Sequence, residues 1–189
     1  MKIKSPFFKE QFLKRYLYII ALIVGGHLQG QTINIAGTSW TVSVPTITEA
    51  GTNYAGTYDN PGQLVLSGNL PSSFLNILTS SGARISMNYV PTSWNSALKL
   101  YAKRSGGTTK INGICVACSA TITGGNVNFV EIPQAGSVAL STITFSGLLG
   151  LGNNVQYSAI NVQLEIGGVS VAIPATTYSA QIVFTIGAN

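Results

Sequence analysis

In run after run of this chain the apolar residues fall on every second position, and glycine pairs punctuate the runs. The last run is the clearest. Tyr178, Ala180, Ile182, Phe184 and Ile186 form one row, while Ser179, Gln181 and Thr185 fall on the other side with Val183. A period of two is strand geometry, because successive side chains of an extended chain point to opposite faces. Burial of Ile182, Phe184 and Ile186 is worth about 1.5–3 kcal/mol each, so this strand has to pack into a sheet of its own chain or of a neighbour.

The other runs follow the same pattern. Ile33 and Ile35 share one parity, and beyond Ala36-Gly37 the row shifts to Trp40, Val42 and Val44, which predicts a bend or bulge at the glycine. Strands are expected over residues 63–67, 84–90, 96–103, 120–123 with 126–132, 138–145, 155–166, 169–173 and 178–186. The turn signals between them are Gly106-Gly107, Gly124-Gly125, Gly150 to Asn154 and Gly167-Gly168. Residues 49–61 read as a loop or a pair of short edge strands. Residues 71–79 are the one helical candidate, with Pro71 placed for a first turn. The Thr, Ser, Val, Ile, Asn and Gly content suits strands joined by tight turns. The expected fold is all-β: about eight to ten short strands at this spacing argue for a β-sandwich or barrel with little helix, and a single antiparallel β-sandwich is the expectation.

Residues 1–30 carry the ordered features of a secretory signal. Lys2, Lys4, Lys9, Lys14 and Arg15 precede the apolar run Tyr16 to Val24, and the small residues of GGHLQG follow. The run is well short of the roughly 20 residues a spanning helix needs. We therefore expect cleavage near Gly30 and Gln31, no permanent membrane span, and a single sandwich domain over 31–189. The expected location is exported: the cell surface, the extracellular space or the periplasm. The charge argument changes with the signal removed. The whole chain is formally +5, but residues 31–189 set Arg84, Lys99, Lys103, Arg104 and Lys110 against Glu49, Asp59, Glu131 and Glu165, a net +1. A nucleic-acid partner would call for a longer basic stripe, and none is expected.

The only histidine, His27, lies in the signal, which removes Ser-His and Cys-His nucleophiles and most zinc sites from the domain. The four acids share no short motif, Asp59 lacks the neighbours of a calcium loop, and the glycines of GLLGLGNN fit no nucleotide-binding spacing. Neither an enzyme nor a metal or cofactor is expected. Cys115 and Cys118, in GICVACSAT, stand too far apart along a straight strand to be bridged, about 10 Å. A disulfide therefore requires a turn at Val116-Ala117. An oxidising compartment favours that bridge over free thiols, as a structural rather than catalytic feature.

Two functional readings stand side by side. ATTYSAQIVFTI, preceded by a glycine-punctuated hairpin, resembles the closing strand of secreted immunoglobulin-like fimbrial subunits, and the junction near Gln31 resembles exported proteins of the Bacteroidetes type. The resemblance covers the closing strand and the signal junction. It implies a structural or adhesive surface protein, a fimbrial subunit that lends a strand to a neighbour, with copies of itself or other surface subunits as partners. The uncharged N-terminal segment carrying Ile33, Ile35, Trp40, Val42 and Val44 is the candidate assembly strand. It is equally readable as the first strand of a self-complete sandwich. The rival is a glycan- or ligand-binding module using Tyr54, Tyr58 and Trp94, with Tyr89 nearby, in loops rich in amides and hydroxyls; such aromatics otherwise fill a core or cap its ends.

Overall fold

The structure, a computed structural model, describes residues 30–43, 58–75 and 82–189, with the side chains of 58–63 left aside. Gln31–Asn189 forms one compact unit. Among the described residues there are nine strands and one helical turn: β1 (Thr32–Gly37), β2 (Tyr58–Pro71), α1 (Ser72–Leu75), β3 (Gly82–Ser93), β4 (Lys99–Asn112), β5 (Cys115–Thr123), β6 (Val130–Glu131), β7 (Val138–Leu149), β8 (Asn154–Gly167) and β9 (Ser179–Ala188). They build two antiparallel sheets, A in the order β1-β2-β8-β4-β6 and B in the order β5-β7-β3-β9. The all-β sandwich read from the sequence is the observed class.

Both inner faces supply one core. From sheet A come Leu66, Leu70, Leu100, Ala102, Val155, Tyr157, Ile160, Val162 and Leu164; from sheet B come Ala83, Ile85, Met87, Leu140, Ile143, Phe145 and Phe184. The terminal row behaves as its alternation requires. Phe184 is buried, and Ala180, Ile182 and Ile186 pack against the core, while Ser179, Gln181 and Thr185 are exposed. Its sheet is its own chain's, because β9 pairs with β3 from Ala83 opposite Ala188 to Ser93 opposite Ser179.

Several elements differ from expectation, each for a local reason. The main strands are long, with 14 residues in each of β2, β4 and β8. Gly106-Gly107 is not a turn but lies inside β4. There Gly106 takes φ 64 and Gly107 φ 105, and on the neighbouring strand Ala159 takes φ 54. The register with β8 runs on unbroken, Gly106 opposite Ile160 and Thr108 opposite Ser158. Both strands instead exchange faces at this level. Inward residues pass from Leu100, Ala102 and Arg104 to Ile111 in β4, and from Val155 and Tyr157 to Ile160, Val162 and Leu164 in β8. The left-handed residues rotate the chain by one side-chain step without ending the strand.

The run 126–132 contributes only the two residues of β6. Residues 169–173 form a turn closed by Ile173 N–H donating to Ser170 O (3.1 Å) and Ala172 N–H to Ser170 Oγ (3.2 Å), a serine competing locally with strand pairing. Among the described residues helix is confined to α1, and Pro71 ends β2 rather than opening the helix; residues 76–79 lie outside the described set. The bend at Gly37 (φ 140) ends β1. No hairpin precedes the closing strand, since β8 and β9 belong to different sheets.

Candidate functional site

The N-terminal candidate segment forms a sheet edge. Among the described strands β1 pairs only with β2, from Thr32 opposite Asn69 to Gly37 opposite Leu64. Ile33 and Trp40 are partly buried against the core, Ile35 is 50% exposed, and no residue of 30–43 is fully buried. Val42 is half-buried outside any strand, and Val44 lies outside the described residues. β1 is nonetheless latched from two strands away. Tyr157 of β8, fully buried, donates its hydroxyl to the backbone carbonyl of Thr32 at 2.6 Å, across 125 residues of sequence. It crosses β2 over Gly68, where a Cβ would collide with Thr32 O and the Tyr157 hydroxyl. Thr32 Oγ1 accepts in turn from the N–H of Asn69 at 3.0 Å. Burial raises the phenol of Tyr157 above its ordinary value, which keeps it a donor.

Cys115 and Cys118 are a close pair within β5, their Cα atoms 5.8 Å apart. The required turn is a bulge, in which Ala117 takes φ 50 and the pairing with β7 shifts between Val116 and Ser119. Gly147 of β7 makes room for it. A Cβ there would lie 2.7 Å from Cys118 Cα and 2.7 Å from Val116 O.

Of Tyr54, Tyr58 and Trp94, only Trp94 has a described side chain. Tyr54 lies outside the described residues, and Tyr58 opens β2. Trp94 is half-buried, stacked obliquely on Tyr89 at 5.6 Å, with its indole N–H donated to Leu98 O at 3.2 Å.

One arrangement was not legible in the sequence. Glu131, Tyr101, Glu165 and Asp59 occupy consecutive register positions across β6, β4, β8 and β2. The Tyr101 ring leans over Gly167, whose Cβ would meet it at 3.0 Å. Beside it Lys99 Nζ meets Glu131 Oε1 at 2.9 Å with both side chains half exposed, and this pairing raises the pKa of Lys99. Lys103 Nζ sits 4.7 Å from the centre of the Phe129 ring. Acids at scattered sequence positions reach one register level here only because strand order aligns them.

Arg104 has a structural role. It is buried, and it donates to the carbonyls of Gly124 (2.8 Å) and Gly106 and binds Gly125 O through its backbone N–H, pinning the loop after β5 onto β4. Burial lowers its pKa.

Among the described residues no group of three His, Cys, Asp or Glu side chains comes together to hold a metal ion, and no helix is long and apolar enough to cross a membrane. Compared with family models, curated proteins and solved structures, the chain matches none.

Proposed function

We infer that this is a non-catalytic structural or adhesive protein of the cell surface, a subunit that assembles by exchanging its N-terminal edge strand. The observation that carries the reading is the light investment of β1 in its own core. It is an uncharged edge strand with one neighbour, and no residue of it is fully buried. Exchange replaces each β1–β2 hydrogen bond by the same bond to a second copy, and the incoming Thr32 carbonyl takes the Tyr157 hydroxyl as the native one does. The intramolecular and exchanged forms then differ little in contacts, and protein concentration decides between them.

The test is deletion of Gln31 to Val44 in the processed protein. The truncated chain should stay folded and monomeric, while the full mature chain forms oligomers whose proportion rises with concentration in analytical ultracentrifugation. A truncated chain that fails to fold, beside a full chain that stays monomeric, would remove the proposal.

A second reading, glycan binding, is supported by the Tyr101 ring lying on the outer face of sheet A beside Glu165 and the Lys99–Glu131 pair. A flat ring flanked by hydrogen-bonding groups suits a sugar. A glycan array on wild type, Tyr101→Ala and Trp94→Ala decides it. Binding lost with either ring supports this reading, and absence of any binding dismisses it.

A further inference from the structure

The few charges of the sandwich are unevenly placed. No aspartate or glutamate occurs between Asp59 and Glu131 or between Glu131 and Glu165, so β3, β4, β5, β7 and most of β8 carry none. At about 3.3 Å per residue, Glu165 stands roughly 35 Å along β8 from Asn154. The end of the sandwich where β8 begins is where β4 and β7 finish and β5 starts. Four aliphatic side chains are presented there. Ile114 is 80% exposed, Val116 65%, Leu148 70% and Leu151 85%. Val116 and Leu148 are direct cross-strand partners. Ile114 and Leu151 stand on the two adjoining turns, which are tied together by Gly150 N–H and Asn153 Nδ2 both donating to Ile114 O, at 3.0 and 3.1 Å. The exposed cation nearest this end is Lys110, on β4 opposite Gln156; Arg84, on β3 opposite Thr142, stands roughly 20 Å back along β7 from Leu148.

We propose that this tip is a membrane-contact site that seats Ile114, Val116, Leu148 and Leu151 in the headgroup and upper acyl region of a bilayer carrying anionic lipid. Two arguments favour lipid over a second copy of the chain. The patch is on the order of 500 Å², large for a free surface of one domain but below the roughly 800 Å² per partner of a stable protein interface. Two of its apolar groups, Ile114 and Leu151, project from adjoining turns beyond the strand pair Val116 and Leu148, so a protein partner needs a matching hollow, whereas a fluid bilayer deforms around them. Interfacial affinity grows with apolar area and with attraction of cations to anionic headgroups; this end carries the apolar area with Lys110 beside it, and among the described residues Glu131 and Glu165 lie toward the other end. The site is independent of β1 exchange, and each can fail without the other.

Co-sedimentation with vesicles tests the proposal, using the processed protein with its N-terminus checked by mass spectrometry. Wild type should partition onto phosphatidylcholine–phosphatidylglycerol vesicles and less onto phosphatidylcholine alone. The double variant Ile114→Asp/Leu151→Asp should lower partitioning at least about tenfold. Lys110→Glu should abolish the preference for anionic vesicles, and Val127→Asp, an exposed valine of the loop after β5, should change nothing. All of these positions are exposed, so thermal melts serve to confirm folded variants. Absence of partitioning, partitioning unchanged in the double variant, or self-association that the double variant abolishes would each overturn the proposal, the last by naming a second copy as the occupant.

Discussion

Tyr157 ties β8 to the first strand of the sandwich through one proton. Removing its hydroxyl in Tyr157→Phe leaves the ring packed and deprives the Thr32 carbonyl of its donor, at an expected loss of about 1 kcal/mol in urea unfolding. The pH dependence has a definite sign. Burial raises this phenol above its ordinary value of 10.0, so above that pH the unfolded chain releases a proton that the folded chain retains. The contribution is complete below pH 10.0 and is lost as pH rises beyond it. Wild type should therefore lose stability more steeply than Tyr157→Phe in urea titrations stepped upward from pH 10.0; equal slopes would show that Tyr157 is not the group responsible. None of this was legible beforehand. The alternation of residues 155–166 placed Tyr157 in a strand, but its partner lies 125 residues away, and only strand order brings Thr32 within reach. The row from Glu131 to Asp59 was hidden for the same reason, since spacing along the chain carries no information about which strands are neighbours.

Elements were legible where one cause acted alone. The requirement that a bridge between Cys115 and Cys118 needs a local turn follows from strand geometry, and the bulge at Ala117 supplies it. Its complement, Gly147, was hidden because a single glycine in an apolar run signals only a weak strand. Gly147→Ala places a Cβ against the backbone of Cys118 and forces a side chain onto φ 100. We expect it to destabilise the protein by about 2 kcal/mol or more, against about 2 kcal/mol for reduction of a bridge across so short a loop. Urea titrations of both, with alkylation and mass spectrometry of the non-reduced protein to count thiols, check the pair. Gly106-Gly107 misled because a glycine pair between two apolar rows of opposite parity has two solutions. The chain can turn back, or it can rotate by one residue and continue, and Ala159 on the neighbouring strand makes the second workable.

At the scale of the whole molecule, composition and period were enough for the class and silent on the order. From β2 to β9 every consecutive strand lies in the sheet opposite to the one before it, and only β1 and β2 pair as neighbours in sequence. Apart from Gly106-Gly107, the glycine signals mark crossings between sheets, which look in sequence much like hairpin turns. Almost all pairing is long-range, so refolding of residues 31–189 by stopped-flow fluorescence of their tryptophans should take milliseconds to seconds, not microseconds. A microsecond phase carrying the full amplitude would contradict this topology. The order also sets a timetable. β8 is the centre of sheet A, and β7 joins β5 to β3 in sheet B, so before these late strands exist the earlier ones hold only the isolated pairs β1–β2 and β4–β6. A chain whose last quarter is withheld remains slack enough to be threaded through a narrow pore, and it closes only when its tail arrives.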